Sequence, residues 1–176
     1  SAGSGNDTIT VSASSSGLSI GTAAYALFNS ELLSGDGNDV INLSADTACP
    51  SSPKAYGAFN STLRTGDGDD TITITGRTQY PGGIGGYGAV GTDIYLGSGN
   101  DRITIKTVIS SSSSWEAVCD VQDVLIFGGA GDDTFDIGIG KATIRGGAGN
   151  DTAILDYGYQ LKPGKRLRIR VYAAGV

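Results

Sequence analysis

The sequence of 176 residues has no His and no Met, two Cys, four Pro and no long apolar run. Without His it cannot contain a Ser-His-Asp triad, a zinc site that uses His, or a histidine pH switch. Two Cys are too few for a Cys-rich zinc site or a disulfide scaffold. No stretch approaches about 18 uninterrupted apolar residues, which excludes a membrane-spanning helix. The chain begins at Ser1 without an apolar leader, so we expect a mature or excised fragment.

Acidic residues outnumber basic ones, 18 to 12, and the formal net charge is −6. Five of the twelve Lys and Arg residues lie in 162–176, so residues 1–161 hold all the acidic residues and only seven basic ones. Such an acidic body is a poor candidate for binding nucleic acid and a better one for binding cations. Glycine, at 29 of 176 residues, is more than twice its usual share of roughly 7%.

The string Gly-x-Gly-[Asn/Asp]-Asp occurs six times. The copies are GSGND at 3–7, GDGND at 35–39, GDGDD at 66–70, GSGND at 97–101, GAGDD at 129–133 and GAGND at 147–151. The closing aspartates are Asp7, Asp39, Asp70, Asp101, Asp133 and Asp151. They lie 32, 31, 31, 32 and 18 residues apart. A recurring period of this length is typical of a solenoid.

Apolar and polar residues alternate after each aspartate, as they do in a strand with one buried face. The positions two and four residues on are apolar in every copy: Ile9/Val11, Ile41/Leu43, Ile72/Ile74, Ile103/Ile105, Phe135/Ile137 and Ala153/Leu155. A second apolar column precedes the aspartates by seven residues: Leu32, Leu63, Ile94, Ile126 and Ile144. A third segment repeats as AYALFNS at 24–30, AYGAFNS at 55–61 and GYGAVGT at 86–92.

Each period is therefore predicted to form one coil of about three short strands, and stacking the coils buries a continuous core. We predict an all-β, right-handed parallel β-solenoid of five to six coils over residues 1–155. The remaining residues, 156–176, are predicted to form a basic C-terminal cap, because RLRIRVY alternates at 166–172 and solenoid ends need cover.

The repeated turns should lie in one column, and ten of the 18 acidic residues belong to them. Unit charges ~5 Å apart repel by about 0.8 kcal/mol at the dielectric of water and by about 3 kcal/mol at an effective value near 20. Such a column disfavours the fold unless a cation lies between turns. Carboxylate and carbonyl oxygens, without nitrogen or sulfur, are the donor set of a calcium site.

The turn and its strand resemble the nonapeptide GGxGxDxUx of the repeats-in-toxin (RTX) calcium β-roll family, most closely in GGAGDDTFD at 128–136 and GGAGNDTAI at 146–154. The resemblance implies one calcium ion between each two successive turns, five in all. One turn would give the carbonyls of motif positions two and four and its aspartate. The next turn would give the carbonyls of positions one and three and its aspartate.

Carried over to this chain, the resemblance implies five ligand sets. These are Gly3, Gly5, Asp7, Ser34, Asp36 and Asp39; Gly35, Gly37, Asp39, Thr65, Asp67 and Asp70; Gly66, Gly68, Asp70, Leu96, Ser98 and Asp101; Gly97, Gly99, Asp101, Gly128, Ala130 and Asp133; and Gly129, Gly131, Asp133, Gly146, Ala148 and Asp151. The family's first Gly is replaced in four turns by Ala2, Ser34, Thr65 and Leu96. Because that position offers only a carbonyl in the family, binding is expected to survive. The resemblance also implies a non-enzymatic protein of the cell surface or exterior that folds on calcium binding, often after type I secretion.

Two other interpretations of the turns and of the repeated tyrosines stay open. The turns could be ordinary Asp-Gly turns of a metal-free β-helix. Tyr25, Tyr56 and Tyr87 should form a column, either inside the core or outside it as an aromatic strip suited to sugar rings. We predict the outward orientation, because it keeps Asp120 out of the core in a looser fourth copy of the segment, AVCDVQD at 117–123. A second hypothesis is therefore a carbohydrate-binding or adhesive module, with an extracellular glycan or a surface protein as partner.

A third hypothesis is a fragment of a polysaccharide-active enzyme. Its candidate residues are Arg102, Lys106, Asp120 and Asp136, all expected to be exposed, although no sequence feature makes them converge. Cys49 and Cys119 fall two coils apart, ~9.6 Å along the stack. This is beyond the roughly 7 Å limit between the Cα atoms of a disulfide, so no bond is expected.

Overall fold

The computed structural model describes residues 1–16, 23–48, 54–79, 86–109, 119–155 and 168–172, which form seventeen strands and no helix. The strands are β1 (Gly3–Ser4), β2 (Thr8–Ser15), β3 (Ala23–Phe28), β4 (Glu31–Leu33), β5 (Gly35–Asp36), β6 (Val40–Thr47), β7 (Lys54–Phe59), β8 (Thr62–Asp67), β9 (Thr71–Thr78), β10 (Gly86–Val90), β11 (Asp93–Ser98), β12 (Arg102–Ile109), β13 (Val121–Ala130), β14 (Thr134–Ile137), β15 (Gly140–Ala148), β16 (Thr152–Leu155) and β17 (Arg168–Tyr172). In this part of the chain no helix is long and apolar enough to span a membrane.

The strands pair in parallel, each with its counterpart in the neighbouring repeat. One sheet has the order β16-β14-β12-β9-β6-β2. A nine-stranded sheet follows the path β3-β7-β10-β13-β11-β8-β4, with β15 beside β13 and β17 beside β15. The register matches the repeat, since Ile72 of β9 pairs with Ile41 on one side and Ile103 on the other. The predicted fold class, an all-β parallel solenoid, is confirmed, whereas the number of five to six coils stays a prediction.

The core lies between the two sheets and consists of the predicted apolar columns. The fully buried members that follow the aspartates are Ile41, Leu43, Ile72, Ile74, Ile103, Ile105, Phe135 and Ile137. The preceding column, Leu32, Leu63, Ile94, Ile126 and Ile144, belongs to the same cluster. Ile9, Val11 and Ala153 are only partly buried, because they lie on the two outermost strands of their sheet.

A left-handed residue forms the corner between the third segment and the next strand in the first three long repeats, and its counterpart in the fourth lies within β13. These residues are Asn29, Asn60, Gly91 and Asp123, with φ of 47°, 46°, 55° and 53°. Gly, Asn and Asp adopt this conformation more readily than other residues. The following hydroxyl groups of Ser30, Ser61 and Thr92 donate to the carbonyl two residues earlier, at 2.6, 2.8 and 3.0 Å. The chain therefore turns at the same place in successive repeats.

The solenoid narrows at β13, which explains the change of period from 31–32 to 18 residues. This strand pairs with both β10 and β11, so two strand series merge into one. It then pairs with β15, and β15 pairs with β17 in the region predicted as the cap. The boundary between repeats and cap stays a prediction. Cys49 lies outside the described residues, whereas the Cys119 thiol donates to the Val121 carbonyl at 2.9 Å.

Candidate metal centre

The repeated turns stack directly on one another along one edge of the solenoid. Gly97, for example, pairs with Gly66 of the turn before and with Gly129 of the turn after. The glycines at motif positions two and four have φ between 106° and 140° in all six turns. From the second turn onward, a Cβ on any of them would overlap the glycine carbonyl of the preceding turn. Glycine is thus required both by conformation and by the closeness of the stacked backbones.

The six closing aspartates form a column held by hydrogen bonds between turns. From the second turn onward, the Oδ1 atom of each accepts from the backbone N–H of the aspartate in the preceding turn. The distances are 2.8 Å for Asp39, Asp70 and Asp101, 2.9 Å for Asp133 and 3.1 Å for Asp151. One carboxylate oxygen per turn is therefore used to join the stack, a role that the spacing of the motif alone did not reveal.

The other carboxylate oxygen, Oδ2, has no partner in the four inner turns. The Oδ2 atoms of Asp39, Asp70, Asp101 and Asp133 are buried and make no hydrogen bond. These side chains are 1–2% exposed. Leaving a buried acceptor unsatisfied costs about 1–3 kcal/mol, and more when it is charged. Either protonation of these carboxylates or a bound cation would remove the cost of the unpaired oxygens.

Burial raises the pKa of several of these carboxyl groups. It raises the pKa of Asp101 to about 7 and that of Asp133 to about 6, with the neighbouring aspartate charges adding to the effect. It also raises the pKa of Asp70. In each case a hydrogen bond from the backbone of the aspartate in the preceding turn lowers the pKa and so offsets part of this rise. The ionised form of these three carboxyl groups is thus disfavoured unless a positive charge is bound.

The donor set fits calcium in its chemistry, since only carboxylate, carbonyl and hydroxyl oxygens surround the column. Among the described residues no three acidic or Cys side chains converge as a metal site. The reason is that each turn contributes one inward carboxylate. A site here would combine two carboxylates of adjacent turns with backbone carbonyls, and the assignment of those carbonyls stays a prediction.

The first residue of the turn has a role that the sequence analysis missed. The side chains of Ser34, Thr65 and Leu96 are fully buried. The Ser34 hydroxyl donates to the Thr65 carbonyl at 3.1 Å, and the Thr65 hydroxyl donates to the Leu96 carbonyl. These positions were expected to offer only a carbonyl. The sequence could have indicated these hydroxyl bonds, because Ser and Thr occupy equivalent positions of consecutive repeats.

A second, exposed polar column accompanies the aspartates. Its members, the fourth residues of the six strings, are Asn6, Asn38, Asp69, Asn100, Asp132 and Asn150. In the first five turns, each side-chain oxygen accepts from the backbone N–H of its counterpart in the next turn, at 2.7–2.9 Å. The restriction of this position to Asn or Asp reflects this bond, since both side chains supply the same oxygen.

The tyrosine column is a stack of parallel rings. Tyr25 and Tyr56 have ring centroids 4.9 Å apart and Tyr56 and Tyr87 5.1 Å apart, with interplanar angles of 5° and 4°. A Cβ on the adjacent Gly57 would overlap Ile74 of the core, so Tyr56 lies on the opposite face of its strand. Tyr56 is nevertheless only 7% exposed. Because the ring faces stack on one another, they leave little face for a sugar ring, and a ligand role stays a prediction.

Arg64, Tyr95, Phe127 and Arg145 form another column in register that the sequence analysis did not identify. Tyr95 and Phe127 stack with centroids 4.8 Å apart. The Arg64 guanidinium lies 4.0 Å from the Tyr95 centroid, and that of Arg145 lies 5.4 Å from the Phe127 centroid. These four residues lie 31, 32 and 18 residues apart, as the turn aspartates do. This match in spacing could have revealed the column from the sequence.

Three of the four charged residues considered for catalysis come together on the outer face of the six-stranded sheet. The Lys106 ammonium lies 3.0 Å and the Arg102 guanidinium 4.0 Å from Asp136 Oδ2. The expectation that Asp120 and Asp136 are exposed was wrong, since they are 7% and 9% exposed. Asp120 is buried because its carboxylate accepts from the backbone N–H groups of Thr107 and Ile139.

Replacing Asp120 with Ala should lower the free energy of unfolding by about 2–4 kcal/mol, because two buried N–H groups lose their acceptor. Urea unfolding followed by circular dichroism would measure this loss. Glu31→Ala is the matched control, since it removes an exposed ion pair with Arg64 and should cost less than about 1 kcal/mol. Equal effects of the two substitutions would contradict the structural role of Asp120.

Comparison with known protein families matches the RTX calcium-binding nonapeptide repeat in four copies, at residues 57–73, 122–143 and 136–156. These ranges contain the turns at 66–70, 129–133 and 147–151 with their strands. No curated protein and no solved structure matches the chain. The stacked glycine turns, their inward aspartates and the matched repeats agree, and this chain contains repeats of the RTX calcium-binding nonapeptide type.

Proposed function

We propose that this chain is a calcium-binding structural or interaction domain, without enzymatic activity, of a secreted or cell-surface protein. The single observation that supports it most is the column of four buried Oδ2 atoms without a hydrogen-bond partner. A divalent cation bound beside each would neutralise the carboxylates and supply the missing interaction. RTX repeat proteins are typically secreted, and type I secretion is the route that we propose here.

Five ions would lie between the six turns, held by the five ligand sets that the family resemblance implies. Asp39, Asp70, Asp101 and Asp133 would each serve two ions, whereas Asp7 and Asp151 would serve one. Each ion would also receive backbone carbonyls from two successive turns. The fold around these sites is proposed to be a right-handed solenoid of five to six coils over 1–155 with a C-terminal cap over 156–176.

Calcium binding would stabilise the folded chain by mass action. An ion that binds only the folded state adds RT ln(1 + [L]/Kd), which is about 2.7 kcal/mol per site at 100 times Kd. Several such sites together match the whole stability of a small domain, roughly 5–15 kcal/mol. The chain would therefore order at high extracellular calcium and lose structure at the low calcium of a cell interior.

Titration of chelator-treated protein with calcium tests the proposal, with far-UV circular dichroism for structure and calorimetry for the number of ions. We expect a gain of β-structure that saturates at about five ions per chain. No calcium heat, together with a spectrum that chelator does not change, would overturn the proposal. That result would leave a metal-free β-helix.

A further inference from the structure

We infer that the first residue of each turn sets how strongly the adjacent site binds calcium, so that the turns beginning with Gly128 and Gly146 form the calcium-responsive end of the solenoid. This inference rests on the proposed function. It divides the five proposed sites into a tighter pair near residues 128–151 and a weaker group near residues 34–101.

The two glycine turns have no side chain at the first position, and oxygen atoms occupy the space that a side chain takes in the other turns. A Cβ on Gly128 would overlap Asp133 Oδ2 and the Gly146 carbonyl oxygen, and a Cβ on Gly146 would overlap Asp151 Oδ2. Neither glycine has a positive φ, so space rather than backbone conformation explains why glycine stands there. The space left by the missing Cβ thus brings a carboxylate oxygen and a carbonyl oxygen of the proposed sites together.

In the earlier turns this space is filled. Ser34, Thr65 and Leu96 each place a fully buried side chain at the equivalent position. The hydroxyl groups of Ser34 and Thr65 also donate to the carbonyl oxygens of Thr65 and Leu96, which are proposed calcium ligands. A carbonyl that accepts a hydroxyl proton has less electron density for a cation, so these sites should bind calcium more weakly.

The same contacts hold the earlier turns together without metal. Each hydroxyl bond contributes about 0.5–1.5 kcal/mol. In the six-stranded sheet the strands of these coils are also longer, since β6, β9 and β12 have eight residues each and β14 and β16 have four. The stacked rings of Tyr25, Tyr56 and Tyr87 add packing that the later coils lack at equivalent positions. Order in the earlier coils should therefore depend less on calcium than order at 128–155.

Hydrogen exchange with and without chelator, read peptide by peptide, tests the inference on the unmodified chain. We expect chelator to increase exchange at residues 128–155 at least tenfold more than at 54–79 and 86–109. A uniform loss of protection along the chain, or a loss larger in the earlier coils, would overturn the inference while the calcium-binding function stands. No effect of chelator anywhere would overturn it as well.

Calorimetry of Gly128→Ser supplies the second measurement. The added side chain fills the space beside Asp133, so we expect the affinity of the tighter pair of sites to fall at least tenfold. Gln122→Ser is the matched control, because it places the same hydroxyl at an exposed position of the same strand, β13, and it should bind as the wild type does. Wild-type affinity in Gly128→Ser would overturn the inference, whereas no calcium heat in the wild type would contradict the proposed function itself.

Discussion

Asp133→Asn should reduce the number of bound calcium ions by two and leave the calcium-free protein as stable as the wild type or more so. Asp133 is 1% exposed, and its Oδ1 atom accepts from the Asp101 N–H at 2.9 Å. An Asn side chain keeps that acceptor, loses the charge and carries an amide NH2 group, a hydrogen-bond donor, in place of the unpaired Oδ2 atom. In the proposed arrangement this carboxylate bridges the last two sites, so both would be lost.

The substitution should lower the free energy of unfolding in the presence of calcium and raise it in the absence of calcium. Measurements with and without chelator therefore separate the two effects. At calcium concentrations of 100 times Kd, losing two sites lowers the free energy of unfolding by about 5 kcal/mol. Without calcium, removal of a buried, unpaired charge raises it by about 1–3 kcal/mol. Urea unfolding in saturating calcium and in chelator measures the two changes in the free energy of unfolding, and calorimetry counts the bound ions.

Asp132→Asn is the matched control for this experiment. Asp132 is the exposed neighbour in the same turn, and its Oδ1 atom accepts from the Asn150 N–H at 2.7 Å, a bond that Asn preserves. This variant should retain five ions and wild-type stability within about 0.5 kcal/mol. Retention of all five ions by Asp133→Asn would show that this carboxylate is not a calcium ligand.

The sequence predicted the features that depend on period alone. Copies of one residue in successive repeats must stack, so the spacing of Ile41, Ile72 and Ile103 was enough to place them in one buried column. The same argument placed the turn aspartates at one edge. The fall of the last spacing to 18 residues coincides with the narrowing of the solenoid, where β13 unites two strand series.

The features that the sequence did not predict depend on which atom of a side chain meets which neighbour. Asp120 looked like an exposed charge, because its position follows the alternation of a strand, yet its carboxylate is drawn inward by two backbone N–H groups. The meeting of Arg102 and Lys106 at Asp136 depends on side-chain direction across two strands. Likewise, the division of each turn carboxylate into one bonded and one unpaired oxygen is a property of geometry, not of residue type.

Gly66→Ala should be strongly destabilising, with a loss of at least about 3–4 kcal/mol in the free energy of unfolding. Gly66 has a φ of 106°, which costs an L-residue about 1–3 kcal/mol. A Cβ there would also overlap the Gly35 carbonyl group of the preceding turn. The two stacked backbones would have to separate, which would disturb the Asp39 and Asp70 contacts on the same edge.

Gly3→Ala separates the conformational cost from the steric one. Gly3 has the same role in the first turn and a φ of 140°, but a Cβ on it would meet nothing within 4 Å. This variant should therefore lose only the strain term of about 1–3 kcal/mol. Urea unfolding in saturating calcium compares the two proteins directly. Because the only designed difference is the neighbouring turn, equal losses would mean that the turns are not stacked closely enough to share a calcium ion.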